Sequence, residues 1–195
     1  MADGLPDLDE LGKSSLVIFD CDGVLVDSEH LSAQVLVEAF ASIGVTIDLA
    51  FVLENFLGHS FPEVAARHAK THGAGFPETF EADYRTRLLN RFSTDLKPMP
   101  SIESVLDELS VPCCLATGSS LIRVRQSLEV TALAWRFTDR VFATSMVARG
   151  KPAPDIFLHT AAAMGVAPAQ CLVIEDSATG IAAAHAAGMT VWQFT

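Results

Sequence analysis

Short apolar runs separated by turn residues recur along the chain and predict the strands of a buried sheet. They lie at 15–19, 111–116, 140–143, 171–174 and 189–194. Because these runs are nearly continuous and do not alternate with polar residues, they are typical of parallel strands that are covered on both faces. Segments with helical spacing separate the later runs, at 101–109, 121–129, 156–164 and 180–187. This alternation predicts an α/β fold with a Rossmann-like, doubly wound parallel sheet.

The interval between the first two apolar runs breaks the alternation. From Ser28 to Lys97 the apolar residues repeat at helical spacing, and no run predicts a strand. The interval is also too long for a single crossover connection. We therefore expect an inserted all-helical cap domain at 28–97, and an α/β catalytic core formed by 1–27 and 98–195.

No helical segment follows the last apolar run. The run reaches Phe194, whereas a strand of this kind normally leads into a helix that covers the sheet. We expect either that another segment covers this face or that the chain is shorter than its relatives.

The charge balance restricts the partners that the chain can attract. Its 195 residues include 13 Lys and Arg against 24 Asp and Glu, a formal net charge of −11. This charge opposes association with nucleic acid or an anionic membrane, so an anionic substrate must be held by local positive groups. No apolar run reaches membrane-spanning length, and the acidic N-terminal stretch lacks the features of a signal peptide. We expect a soluble cytoplasmic protein, monomeric or dimeric.

The four cysteines show no spacing typical of a metal site. Cys113, Cys114 and Cys171 lie in or beside apolar runs, which favours reduced thiols in the core over disulfides or metal ligands. Cys21 differs because it lies between two aspartates, a position that leaves open whether its thiol is accessible.

Two carboxylates directly follow the first predicted strand, in the segment Phe19-Asp20-Cys21-Asp22-Gly23-Val24. Asp20 and Asp22 lie in one loop at the exposed end of the strand, where the two carboxylates can serve different roles: one can attack phosphorus while the other transfers protons. A calcium loop would need a further acidic ligand before the glycine, a preceding helix and a bidentate Glu at its end. A simple acidic turn is the remaining alternative.

A hydroxyl-rich turn, Thr117-Gly118-Ser119-Ser120, follows the second predicted strand. The Thr117 hydroxyl and the exposed amides around Gly118 can cradle phosphate oxygens at the start of a helix. A helix N-cap explains the two serines equally well without any ligand.

A stiff loop presents a single lysine. Lys151 lies between Gly150 and Pro152, and Asp155 in the same loop can cap the next helix. A lone loop lysine is usually solvated, but one that is fixed in this way is typical of an ammonium group that meets concentrated negative charge.

Two acidic residues, Glu175 and Asp176, follow the fourth predicted strand. Hard oxygen ligands suit Mg2+, which takes few protein carboxylates and keeps positions for water and substrate phosphate. A strand-to-helix turn with Asp176 or Ser177 as the N-cap is the alternative.

All four segments fall at the carboxyl ends of predicted strands, the edge at which open α/β sheets bind ligands. In this order they resemble the four motifs of the haloacid dehalogenase superfamily, and in particular its β-phosphoglucomutase-like branch, which carries a small helical C1-type cap. The similarity spans Leu16 to Phe194. It implies that the first strand lies beside the fourth, so that Asp20 and Asp176 meet at the topological switch point.

The resemblance implies a role for each matching residue. Asp20 would attack the phosphoryl group to form an aspartyl-phosphate, while Asp22 would protonate the leaving alcohol and then activate water. The implied Mg2+ ligands are the Asp20 carboxylate, the Asp22 carbonyl, Asp176 and, directly or through water, Glu175. The implied phosphate-binding residues are Thr117, Gly118 and Lys151.

Together these roles imply a Mg2+-dependent phosphatase of a small phosphorylated metabolite, such as a sugar phosphate or a related ester. Asp22 argues against dehalogenases and phosphonatases of the superfamily, which lack this residue. Candidates for substrate specificity in the cap are His59, Phe61 and Arg67. Phe61 takes the position at which sugar-phosphate mutases place a phosphate-binding arginine, which favours hydrolysis over a phosphosugar mutase. A catalytically silent ligand-binding protein of this fold is the second alternative.

Overall fold

The computed structural model describes residues 11–56, 61–73 and 75–194. The chain divides into two compact units, one with the residues up to Asp27 and from Lys97 onward, the other with Ser28–Leu96. The second boundary lies one residue before the end of the predicted cap.

The first unit is built on a parallel sheet. Its strands are β1 (Leu16–Phe19), β2 (Cys113–Thr117), β3 (Val141–Ala143), β4 (Cys171–Glu175) and β5 (Thr190–Gln193). They lie in the order β3-β2-β1-β4-β5, and every pairing is parallel. Phe19 at the end of β1 lies opposite Leu115 of β2 and Ile174 of β4. The predicted doubly wound sheet, with its first strand beside the fourth, is confirmed.

The helices connect these strands or form the second unit. In chain order they are α1 (Glu29–Ser42), α2 (Leu49–Asn55), α3 (Phe61–His72), α4 (Phe80–Asp95), α5 (Ile102–Glu108), α6 (Leu121–Val130), α7 (Ala134–Phe137), α8 (Asp155–Ala163) and α9 (Ala178–Ala186). Helices α1 to α4 all fall in the second unit, so its described part is helical, as its sequence pattern predicts. Within the described ranges, no helix combines the length and the apolar character that crossing a membrane requires.

The sheet has a buried centre and an exposed edge. Every residue of β1 is fully buried, as its unbroken apolar sequence predicts for a central parallel strand. One side of the sheet packs on α8 and α9, where Ile18 joins a cluster with Phe157 and Ala183. Strand β5, at the edge of the sheet, is less buried, and its Trp192 is 37% exposed. The loops that follow β1, β2 and β4 therefore stand on the rigid part of the sheet.

The helical unit has its own core, rich in aromatic rings. Phe40 of α1 is fully buried, and its ring stacks on Phe56 with 5.6 Å between the centroids. Phe76 stacks on Phe80 of α4 at 4.1 Å and on the buried ring of His68 at 4.3 Å. Such rings bury large apolar surfaces and fix their neighbours by their geometry. This unit is thus held by a packed core of its own.

Candidate active site

The segment after β1 separates its two carboxylates. Asp20 follows β1 directly, is buried, and donates its backbone N–H to the Ile174 carbonyl of β4 at 3.0 Å. The chain then turns at Gly23, whose φ is +78°, a conformation that favours glycine. The side chain of Asp22 is 24% exposed. One carboxylate therefore lies inside the end of the sheet and the other at its surface.

Lys151 links the ends of three strands. Its ammonium group lies 2.6 Å from Asp20 Oδ1, 2.5 Å from Glu175 Oε1 and 3.3 Å from the Ala116 carbonyl oxygen. These three acceptors match the three N–H groups of an ammonium. The side chain is only 8% exposed, so water contributes little to its solvation. Lys151 is positioned to fix Asp20 between β2 and β4.

The charges of this buried group are unevenly balanced. Burial raises the pKa of Asp20, and although Lys151 opposes this effect, the nearby Glu175 adds to it, so that the pKa rises to about 7. Burial alone would lower the pKa of Lys151, but the carboxylates of Asp20 and Glu175 outweigh it and raise the pKa to about 12. Lys151 thus remains an ammonium ion, and the buried carboxylates leave an excess of negative charge that a further cation would relieve.

Asp22 has different partners. Its Oδ2 accepts a hydrogen bond from the Ser119 hydroxyl at 2.5 Å, and its Oδ1 accepts one from the guanidinium of Arg123 at 2.7 Å. Both partners come from the segment that follows β2. Contacts to both oxygens fix the plane of the carboxylate.

The turn after β2 combines the two interpretations that its sequence leaves open. The buried Thr117 hydroxyl accepts a hydrogen bond from the Ser119 backbone N–H at 3.0 Å, so this side chain organises its own turn. Gly118 is exposed, and a Cβ at its position would meet no atom within 4 Å. Ser120 is the N-cap of α6 and accepts from the Arg123 backbone N–H at 3.4 Å. A helix cap and an open glycine thus occur in the same turn.

Two glycines leave space for the side chains of Glu175 and Asp176. Glu175 is buried, and its Oε2 accepts from the backbone N–H of Ser177 at 2.8 Å and from its hydroxyl at 2.9 Å. A Cβ at Gly180 would overlap the Glu175 carboxylate, and a Cβ at Gly23 would overlap that of Asp176. Ser177, not Asp176, is the N-cap of α9. Two glycines therefore allow the two acidic side chains to lie close to neighbouring backbone.

Within the described residues, no group of three or more Asp, Glu, His or Cys side chains is arranged to hold a metal ion. The oxygens available for Mg2+ fit a smaller set. Asp20 and Asp176 offer carboxylates and Asp22 a backbone carbonyl, which agrees with the preference of Mg2+ for few protein ligands plus water. The excess negative charge around Asp20 also favours a cation. Glu175 fits less well as a direct ligand, because Lys151 and Ser177 already occupy its oxygens.

The three candidates in the helical unit lie in different environments. His59 lies outside the described residues. Phe61 begins α3, and its ring packs on Phe76 at 5.7 Å between centroids. Arg67 is exposed and donates to the Asn55 carbonyl at 2.9 Å. Phe61 is therefore part of the aromatic core of this unit.

The structure also bears on the expectations for the cysteines and for Asp155. Cys21 is buried, and burial first, then the charge of Asp22, raises the pKa of its thiol well above the usual range. The four cysteines are free thiols, as predicted. Asp155 does not cap α8, because Pro154 takes the cap position and Asp155 pairs with Arg149 at 2.7 Å.

Sequence reasoning missed the partners of Asp22. Arg123 lies in a helical segment two residues before a second arginine, Arg125, and the spacing of apolar residues does not show which of the two contacts Asp22. Ser119 could have been named as a candidate site residue, because it follows the strand in the same motif as Thr117. Its contact with a loop 97 positions away could not be read from spacing alone.

Comparison with known proteins relates this site to a family. The model of haloacid dehalogenase-like hydrolases matches residues 15–188. The chain belongs to this family. The chain is 29% identical to 6-phosphogluconate phosphatase of Escherichia coli (strain K12), over 94% of the chain and 84% of that protein. It is 32% identical to fructose-1-phosphate phosphatase of the same organism, over 89% of the chain and 92% of that protein.

A solved haloacid dehalogenase family hydrolase from Deinococcus radiodurans R1, crystallised with bound phosphate and sodium, has the same fold. It is 33% identical, covers 92% of this chain and 80% of its own, and gives a TM-score of 0.75. The predicted membership of the superfamily is confirmed. The predicted class of enzyme, a hydrolase acting on phosphoric monoesters, agrees with the names of the two phosphatases.

Proposed function

We propose that the chain is a Mg2+-dependent phosphatase that hydrolyses a small phosphorylated metabolite, a sugar phosphate or a related ester, through an aspartyl-phosphate on Asp20. One observation carries the proposal. Asp20 and Asp22 lie two residues apart, yet Lys151 holds the first and Arg123 the second. This separation gives two carboxylates of one loop the different environments that a nucleophile and an acid/base require.

In the first half-reaction, Asp20 would act as the nucleophile. One of its carboxylate oxygens forms a bond to phosphorus as the bond from phosphorus to the leaving alcohol oxygen breaks. Asp22 gives its proton to that oxygen, so that a neutral alcohol departs. Lys151 keeps the Asp20 carboxylate in place, since it contacts Oδ1 at 2.6 Å.

In the second half-reaction, Asp22 would act as a base. It takes a proton from water, whose oxygen bonds to phosphorus while the bond to Asp20 breaks. Inorganic phosphate leaves, and Asp20 returns as a carboxylate. The open position of Gly118 leaves room beside its backbone N–H for phosphate oxygens.

Mg2+, when bound, would neutralise phosphate charge and would be held by the carboxylates of Asp20 and Asp176 and the Asp22 carbonyl. Glu175 would support the site through Lys151, which it contacts at 2.5 Å. Lys151 can bind substrate phosphate only if it exchanges one of its present contacts. We therefore assign it first to the support of Asp20.

We also propose that the helical unit selects the substrate. The named relatives act on 6-phosphogluconate and fructose 1-phosphate, both phosphorylated sugars or sugar acids, which supports this class of substrate. Arg67 and His59 remain candidates for polar contacts. Phe61 contributes through packing within the unit.

A screen of the purified protein against phosphorylated metabolites with Mg2+ tests the proposal by the release of inorganic phosphate. Wild type should hydrolyse at least one ester, while Asp20→Asn, which keeps the size of the side chain, should lose the activity. Phosphate release by Asp20→Asn at the wild-type rate would refute the nucleophile. A protein inactive on the whole panel would favour the ligand-binding alternative.

The mutase alternative has its own test. A hexose 1-phosphate with a bisphosphate primer would yield the 6-phosphate isomer without net release of phosphate. We expect no isomer, because Phe61 offers no charge for a second phosphate. Isomer formed without released phosphate would replace hydrolysis by transfer.

A further inference from the structure

The contacts of Asp22 point to a positioning residue outside the motif that contains it. Arg123 lies in the first turn of α6, and its guanidinium donates to Asp22 Oδ1 at 2.7 Å. Ser119 donates to Oδ2 at 2.5 Å. Two donors on opposite oxygens restrict rotation of the carboxylate plane, which a single hydrogen bond would leave free.

Arg123 occupies an unfavourable place in its helix. The first turn of a helix carries partial positive charge and favours acidic side chains, so a cation there costs free energy. Helix α6 has no acidic residue in its first turn. The charge of Asp22 offsets this cost. A residue that breaks a local rule in favour of a distant contact is typical of a functional site.

The guanidinium of Arg123 also has a fixed position relative to Asp22. The side chains of Arg123 and Asp22 are 21% and 24% exposed, so their pair is only partly screened by water. The backbone of Arg123 is anchored where Ser120 caps α6. Since an arginine stays charged and accepts no hydrogen bond, it can orient a carboxylate without exchanging protons with it.

We propose that Arg123, together with Ser119, positions the carboxyl group of Asp22 for proton transfer to the leaving alcohol. When Asp22 Oδ2 carries the proton that is transferred, the Ser119 hydroxyl no longer donates to this oxygen, while Arg123 keeps its hydrogen bond to Oδ1. This inference rests on the proposed phosphatase reaction and adds a residue to it. Arg123 itself touches neither the reacting phosphorus nor the alcohol in this role. Its loss should thus affect the steps in which Asp22 gives or takes a proton, and the first of them can be measured separately.

The leaving group separates this role from a general structural one. An aliphatic alcohol leaves poorly without a proton, whereas p-nitrophenolate leaves without acid assistance. The ratio kcat/KM covers the steps up to the loss of the leaving group, so it isolates the first half-reaction. For Arg123→Ala we expect a loss of roughly 10- to 100-fold in kcat/KM with an aliphatic phosphate ester, the size of a misplaced catalytic group. With p-nitrophenyl phosphate we expect less than about 3-fold.

Three variants accompany this measurement, all assayed with saturating Mg2+. Arg123→Lys should recover part of the loss, and Ser119→Ala should show a smaller loss with the same dependence on the leaving group. Arg125→Ala removes an exposed arginine of the same helix and should behave as wild type. Ser119→Ala also tests the inference if Arg123→Ala fails to fold.

Two results would overturn the inference. Equal losses on the two esters would assign Arg123 to phosphate binding or to folding, and an unchanged aliphatic rate would leave it no role in proton transfer. A wild-type enzyme that hydrolyses no ester of the metabolite panel would instead contradict the proposed function, and the inference with it.

Discussion

Removal of the Lys151 ammonium should destabilise the α/β unit strongly. In Lys151→Met the side chain keeps its approximate length, but the buried carboxylates of Asp20 and Glu175 lose their shared cation. Breaking a buried ion pair by removing one partner costs about 3–5 kcal/mol. For a chain of this size each kcal/mol lowers Tm by about 2–4 °C, so we expect a fall of roughly 6–20 °C.

The effect should depend on pH with a defined sign. Without Lys151, the folded-state pKa of Asp20, already raised by burial, rises further. A group with a raised folded-state pKa favours folding while it is protonated, and this contribution is lost as pH rises through that pKa. The difference in Tm between wild type and Lys151→Met should therefore be smaller at pH 5 than at pH 8.

Thermal unfolding in a chelating buffer, followed by circular dichroism, measures both effects. Lys70→Met, which removes an exposed lysine of the helical unit, is the matched control and should change Tm little. Adding Glu175→Gln to Lys151→Met removes a buried negative charge and should recover part of the lost stability, but not activity. A Tm for Lys151→Met equal to that of the control at pH 8 would refute the argument.

Three further predictions concern glycine, thiols and metal. Gly180→Ala should lower the free energy of unfolding by about 1–3 kcal/mol, because its Cβ would overlap the Glu175 carboxylate. Urea denaturation measures the change, Gly75→Ala is the control because a Cβ at that position meets no atom within 4 Å, and a gain in stability for Gly180→Ala would contradict the prediction. Burial raises the pKa of the Cys21 and Cys114 thiols, so the native protein should react slowly with a disulfide reagent at pH 8, whereas all four thiols of the unfolded chain should react quickly. Equally fast reaction of the native protein would show that its cysteines are accessible. EDTA should abolish phosphate release and added Mg2+ should restore it, whereas full activity in EDTA would exclude the proposed metal.

The sequence predicts the sheet well because its signals are local. An unbroken apolar run such as Leu16–Phe19 indicates a buried strand wherever it occurs, and motifs at strand ends meet once the strand order is known. The fixed position of Lys151 in its loop predicts an ammonium group that meets concentrated negative charge, whereas its contact with substrate phosphate stays a prediction. The charge in the structure comes from Asp20 and Glu175, and no spacing along the chain reveals that contact.

Side-chain partners across the fold are harder to infer. Arg123 and Arg125 are alike in the sequence, and only the direction in which α6 leaves β2 brings one of them to Asp22. Phe61 shows a related difficulty. Its place in a loop-like motif predicts contact with substrate, which stays a prediction, but the pattern does not reveal that its ring packs on Phe76.

The carboxylates of Asp20 and Asp22 lie close together in the first motif and repel each other. Two carboxylates in one loop would raise each other's pKa and compete for any nearby cation. Here each has its own partner from another strand end, Lys151 for Asp20 and Arg123 for Asp22. Because Lys151 lies in the segment after β3 and Arg123 in the helix after β2, substitution of one should leave the other pair in place. Measured separately, Lys151→Met should therefore lower both Tm and activity, whereas Arg123→Ala should act mainly on proton transfer.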